Sequence, residues 1–215
     1  MAPGFNQMNL WLPYTQMKTA RPPIEVVATE GSKMTLADGR VLIDGIASWW
    51  TACHGYRHPG IVAAIQQQAA QMPHVMLGGI VHPQALKLSA SLAKFLPGEN
   101  NRVFLCDSGS VAVEVAMKMS VQHWANLSPT GRTTKTRFVT FRDSYHGDTS
   151  GAMSLCDPVD SMHANFRGFF VEQFPREIPE TDQAQQALEQ FVESQIDSIA
   201  AIIIEPLVQL SLIHI

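Results

Sequence analysis

The stretch Val103-Phe104-Leu105-Cys106-Asp107-Ser108-Gly109-Ser110, continued by Val111-Ala112-Val113-Glu114-Val115-Ala116-Met117-Lys118, decides the fold. Four apolar residues read as a short buried strand and residues 107–110 as a tight polar turn. Beyond the turn, strong helix formers at helical apolar spacing run on with no Gly or Pro before Pro129, which predicts a helix. At such a junction Ser110 can serve as N-cap, Glu114 lies in the first turns, and the free N–H groups of the turn face the strand's carboxyl end. An anion fits there. Its oxygens would meet N–H groups, the helix dipole and the hydroxyls of Ser108 and Ser110, and Gly109 allows close backbone approach. A turn that only joins strand to helix uses the same residues, so this stretch alone leaves both readings open.

The same alternation extends along the chain. Residues 24–29, 34–36 and 41–44 are short apolar stretches separated by Glu30-Gly31-Ser32 and Ala37-Asp38-Gly39-Arg40, which predicts a small antiparallel meander. Adjacent tryptophans, Trp49 and Trp50, come next in a loop of small residues. On an extended chain they would point opposite ways, one buried and one facing a cavity. His54 and His58 are four apart, but Gly55 and Pro59 argue against a shared helix and no carboxylates accompany them, so no metal site is expected. Helices are expected over 60–72, where Ile61, Ile65, Ala69 and Met72 share a face, over 83–95 and over 183–195. Strands are expected over 137–141 and 199–204, the second buried on both faces. Residues 157–174 carry no clear pattern. The polar run Arg142-Asp143-Ser144-Tyr145-His146-Gly147-Asp148-Thr149 lies just past a strand, where an open α/β sheet meets its ligand. There Tyr145 can stack a flat ring and His146 can hydrogen-bond or titrate, or the run is a plain surface loop. Helices alternating with apolar strands predict an α/β fold with a doubly wound, mainly parallel sheet.

Composition narrows the function. With 215 residues, 46% of them hydrophobic and 16% charged, the chain suits a soluble globular fold with a sizeable core. A net charge of -4 and no run of Lys or Arg make nucleic acid an unexpected partner. Residues 1–12 lack the pattern of a secretory signal, and residues 199–204 are too short to span a bilayer, so no membrane association is expected. Three unpaired-looking cysteines, Cys53, Cys106 and Cys156, suit a reducing compartment such as the cytoplasm.

Seven segments in order carry a resemblance: Trp11-Leu12-Pro13-Tyr14-Thr15, Ser48-Trp49-Trp50, His54-Gly55-Tyr56, Gly78-Gly79-Ile80-Val81-His82, the turn and helix from Asp107, Tyr145-His146-Gly147-Asp148-Thr149 and Ile203-Ile204-Glu205-Pro206. Together they resemble the class III pyridoxal-phosphate aminotransferases. The tryptophan pair and Tyr14 point to the branch acting in biotin biosynthesis. The resemblance implies the fold type I architecture of these transferases, a mainly parallel sheet flanked by helices with a small antiparallel meander, truncated to its N-terminal half. Residues 1–46 would form the N-terminal segment and part of the small domain, 47–209 the first part of the large cofactor-binding domain, and 210–215 a tail foreign to the family.

The same resemblance implies pyridoxal 5'-phosphate as cofactor, with Gly109 and Ser110 on its phosphate and Tyr145, His146 and Glu205 around its ring. Tyr14, Trp49, Tyr145 and Asp148 would contact substrate. Transamination would move nitrogen from S-adenosylmethionine to 8-amino-7-oxononanoate, giving 7,8-diaminononanoate, in a homodimer whose interface passes near Gly79 and His82. The family's Schiff-base lysine, pyridine-nitrogen aspartate and substrate-carboxylate arginine lie beyond the Ile-Ile-Glu-Pro strand. Lys18, Lys33, Lys87, Lys94, Lys118 and Lys135 all come earlier, so the chain is expected to be inactive alone. Another class III omega-amino acid aminotransferase and a silent phosphate-binding fragment are the alternatives.

Overall fold

A computed structural model of the chain describes residues 9–99, 101–157 and 163–206. The chain divides into two compact units, the first ending at Leu92 and the second beginning at Ala93. The expected tail at 210–215 lies outside the described residues.

In the first unit, β1 (Val26–Glu30), β2 (Lys33–Leu36) and β3 (Val41–Ile43) form the expected antiparallel sheet in the order β1-β2-β3. The two turns are where the sequence puts them. Gly31 and Gly39 take positive φ, and Asp38 accepts hydrogen bonds from the Arg40 N–H and guanidinium. Two helices come after the meander, α1 (Pro59–Gln71) and α2 (Pro83–Ala93). Proline at the first position of α1 suits a helix start, where its missing N–H has no intrahelical acceptor. Neither helix buries a residue, so the apolar face read from Ile61 and Ile65 exists but is uncovered.

The second unit contains α3 (Gly109–Leu127), β4 (Arg137–Phe141), α4 (Ser150–Ser154), a 3-10 turn (Ala164–Phe169), β5 (Phe174–Arg176), α5 (Asp182–Ser194) and β6 (Ile199–Ile202). Its sheet is parallel in the order β5-β4-β6. The central strand β4 is buried from Phe138 to Phe141, as a strand covered on both faces must be. Val113, Met117, Val121 and Trp124, spaced four, four and three along α3, pack against the core of Phe138, Leu155 and Ala200. The Trp124 indole N–H donates to the Ala200 carbonyl at 2.8 Å and so ties α3 to the edge strand. A buried Gln173 side chain accepts the N–H of Phe138 at 2.8 Å.

Three expectations need correction. No strand forms at 103–106: the run has no regular secondary structure and no ladder among the described residues, and Phe104 is 68% exposed. An apolar run becomes a strand only where another strand takes its N–H and C=O groups, and no strand among the described residues pairs with it. The strand expected over 199–204 stops at Ile202, with only Ile199 and Ala200 buried, because β6 is a sheet edge. Finally, β5 begins at Phe174, the last residue of the stretch without pattern, and runs to Arg176, where no strand is expected.

Candidate functional site

The turn before α3 is built as an N-terminus with spare donors. Ser108, rather than Ser110, is the N-cap; its φ and ψ of -153° and 161° are extended and its hydroxyl accepts the N–H of Val111 at 3.2 Å. The helix therefore starts at Gly109, and the N–H groups of Gly109 and Ser110 precede the first residue whose donor has an acceptor within the helix. Around Gly109 the space is open, since a Cβ built there meets nothing within 4 Å.

Ser110 turns its hydroxyl to the loop after β4. Its oxygen accepts the N–H of Asp148 at 3.0 Å, which leaves the hydroxyl proton available to an anion. Gly147 makes this approach feasible. Its φ is +125°, and a Cβ there would lie 2.2 Å from the Ser110 hydroxyl oxygen and 2.9 Å from the Ser110 Cα. One turn further along α3, the Glu114 carboxylate accepts the N–H of Gly151 at 2.9 Å. The phosphate-type turn and the polar loop expected from sequence are thus joined into one arrangement.

Within that loop each residue is held from a different element. The buried Ser144 hydroxyl donates to the Phe141 carbonyl at 2.6 Å. Glu205, beyond the end of β6, accepts the N–H of Tyr145 at 3.1 Å. The N–H of His146 points at the Cys156 sulfur, 3.3 Å away. Burial pushes the Cys156 thiol up and so disfavours the thiolate, opposed by hydrogen bonding with the backbone of His146 and Gly147. Burial likewise pushes His146 below the ordinary histidine value, against the weaker pull of Glu205, and its Nε2 has no hydrogen-bond partner among the described residues.

His163 is an addition that the sequence does not announce. It stacks on Tyr145 with ring centroids 6.3 Å apart at 24°, and its Nε2 lies 3.3 Å from an Asp148 carboxylate oxygen. Burial lowers its pKa and Asp148 raises it. The only sequence signal is a histidine in a stretch without pattern. Gly109, Ser110, Tyr145, His146, Asp148 and Glu205 therefore gather, with His163 added, at the carboxyl ends of β4 and β6 and the start of α3.

Tyr14 and Trp49 belong to the first unit. Their rings meet edge to face at 5.8 Å and 75°. Trp49 and its neighbour Trp50 do not alternate on an extended chain. Ala47, Ser48, Trp49 and Trp50 have φ of 49°, 46°, 51° and 67°, a left-handed helical turn, and both tryptophans are about half exposed at 58% and 50%. Nothing in the types Ala, Ser and Trp announces such a conformation, which costs an L-residue roughly 1–2 kcal/mol. His54 lies in the turn beyond and His58 caps α1 from outside, so the two histidines share no helix face.

Among the described residues no helix is long and apolar enough to cross a membrane. The family model described as aminotransferase class-III matches residues 14–210. An adenosylmethionine-8-amino-7-oxononanoate aminotransferase of Synechococcus elongatus is 44% identical over 212 residues, covering 94% of this chain and 48% of that protein. Among solved structures, the enzyme of that name from Methanocaldococcus jannaschii superposes with a TM-score of 0.81 at 25% identity, covering 92% of this chain and 45% of the other. An omega transaminase of Pseudomonas jessenii in complex with PMP gives 0.78 at 25% identity, over 94% and 47%. The chain spans about half the length of the curated relatives it matches.

Proposed function

Since the chain belongs to the class-III aminotransferases, we propose that it carries the phosphate-binding half of a pyridoxal 5'-phosphate site. We further propose that the full-length protein transfers an amino group from S-adenosylmethionine to 8-amino-7-oxononanoate in biotin biosynthesis. The observation that carries the cofactor reading is the trio of donors at the start of α3. The N–H groups of Gly109 and Ser110 open the helix without an intrahelical acceptor, the Ser110 hydroxyl stands beside them, and a Cβ at Gly109 would meet nothing within 4 Å. A dianionic phosphate ester suits that cradle in charge and in donor number.

When bound, pyridoxal phosphate supplies the carbonyl that takes up an amine and the conjugated ring that accepts electrons. The residues of this chain hold and surround it. Tyr145, fixed from one side by Glu205 through its N–H and backed by the His163 ring, offers a flat face for the pyridine. Asp148, paired with His163, keeps a carboxylate beside that face, where it can meet the amino group of a substrate. His146, held neutral by burial, adds no charge behind the ring. Tyr14 and Trp49 would line the path of the substrate. Under this reading residues 1–46 would form the N-terminal segment with part of the small domain and 47–209 the first part of the cofactor domain, in a cytoplasmic homodimer.

The similarity to relatives of this one activity favours the biotin-pathway substrates. The likeness to an omega transaminase supports a second reading, another omega-amino acid as donor. The test is Gly109→Val in the full-length protein. Open space at Gly109 lets the side chain be accommodated by the fold, so the variant should melt like the parent yet lose cofactor on dialysis, read by the absorbance of the retained coenzyme. Unchanged retention would overturn the site. Amine exchange by the parent with S-adenosylmethionine, compared with a simple omega-amine, separates the two substrate readings.

A further inference from the structure

The first unit contains a strained turn and a set of groups that hold it. Four successive residues without glycine, Ala47 to Trp50, lie at positive φ. Such a conformation persists only where its surroundings over-determine it, and it marks places where geometry matters more than comfort. Backbone bonds close the turn: Trp50 N–H to the Ile46 carbonyl at 3.3 Å and Ala52 N–H to the Ala47 carbonyl at 2.9 Å. Asp44 stands at its entrance. One carboxylate oxygen accepts the Ile46 N–H at 3.0 Å, and the other accepts the Ser48 N–H at 2.8 Å together with the Tyr56 hydroxyl. The Ser48 hydroxyl bonds the same Tyr56 oxygen.

This clamp is fixed to the meander at both ends. The Asp44 N–H donates to the Ser32 carbonyl at 2.8 Å. Tyr56 exchanges both backbone bonds with Gly31, at 3.1 and 2.7 Å, while Gly55 at φ +82° brings the chain against Gly31. The Tyr56 hydroxyl does most to hold the Asp44 carboxyl below the usual carboxylate range, helped by the Ile46 and Ser48 N–H groups and opposed by desolvation. What the clamp presents is the edge-to-face pair of Trp49 and Tyr14.

We propose that Asp44, Ser48 and Tyr56 are positioning residues: they lock the left-handed turn and thereby aim Trp49 at Tyr14 as one wall of the substrate path. This rests on the reading of Tyr14 and Trp49 as substrate-lining residues. It goes beyond that reading by assigning a role to three side chains whose contacts are with one another and with the turn. A clamp of this kind acts on binding, because it sets where an aromatic wall stands before substrate arrives.

The test uses Tyr56→Phe and the double variant Ala47→Gly/Tyr56→Phe in the full-length protein, with two readouts. The near-ultraviolet circular dichroism of the tryptophans reports the fixed geometry, with or without cofactor. The KM and kcat for S-adenosylmethionine report the wall. Tyr56→Phe should diminish the tryptophan band and raise KM about tenfold, the scale of losing a hydrogen bond to a charged acceptor, with a smaller change in kcat. Glycine tolerates positive φ without strain, so Ala47→Gly should lower the demand on the clamp and recover most of both signals. A single variant with unchanged band and KM, or a double variant that recovers neither, overturns the proposal. Should Tyr56→Phe fail to accumulate folded, the double variant decides alone: it folds and keeps the band if the clamp works against strain, and the proposal falls if it does not. A parent protein that exchanges no amine would sink the proposed function, while the dichroism arm would still decide the clamp.

Discussion

Gly147 shows how one missing Cβ sets the distance between the α3 turn and the loop after β4. Any side chain there would run into the Ser110 hydroxyl, Cβ and Cα, and the last of these is backbone that cannot rotate away. Gly147→Ala should therefore cost about 2–4 kcal/mol, combining strain at positive φ with overpacking, and should weaken cofactor retention through the lost Asp148–Ser110 bond. Paired chemical melts and retained-coenzyme absorbance check both effects. His146 makes a second residue-scale case, through pH. Its folded pKa is lowered by burial, so as pH falls below the ordinary histidine value of 6.5 the unfolded chain takes up a proton that the folded chain refuses, and stability is lost. His163 shares that direction. Between pH 7 and 5 the parent should lose stability on acidification and His146→Asn should lose less; parallel curves in urea melts would contradict the assignment.

At the scale of elements, α3 and β4 are legible in the sequence because their apolar spacing is strong and their neighbours are on the chain: the helical spacing expected after the turn forms, and the structure shows Val113, Met117, Val121 and Trp124 meeting the core. The run at 103–106 misleads for the opposite reason. Four apolar residues specify a wish to be buried, while a strand also needs a partner for its backbone groups, and periodicity is blind to partners. With three residues and a proline, β5 is too short to show a period. The left-handed turn is hidden because Ala, Ser and Trp carry no local preference for positive φ; the cause is Asp44 and Tyr56, twelve residues apart. The cap lies at Ser108, two residues before the expected Ser110, since both hydroxyls flank Gly109 and only φ and ψ separate them. That shift has a consequence. Ser108→Ala should destabilise by about 1 kcal/mol in chemical melts, the usual worth of an N-cap, while retention falls less than in Gly109→Val because the Gly109 and Ser110 donors remain.

Across the whole molecule the burial of apolar residues is uneven. Among the described residues, Leu36 is the only fully buried hydrophobic side chain of the first unit, whereas Phe138, Val139, Phe141, Ala152, Leu155, Cys156, Ile199 and Ala200 are buried in the second. At roughly 25 cal/mol per Å² of apolar area removed from water, stabilisation of the 215-residue chain is concentrated where β4, α3 and β6 meet. Helices α1 and α2 bury no residue and gain little from packing, and helices of 13 and 11 residues are marginal in water on propensity alone. Amide exchange reads that difference directly, because each segment exchanges according to its own opening free energy. In this chain studied alone, deuterium should enter α1 and α2 within the shortest labelling times, while β4 and the inner face of α3 resist longest and lose protection together. Equal protection of α1 and β4 would mean that the first unit draws stability from packing not visible in its own side chains, and the division into a firm and a loose unit would have to be abandoned.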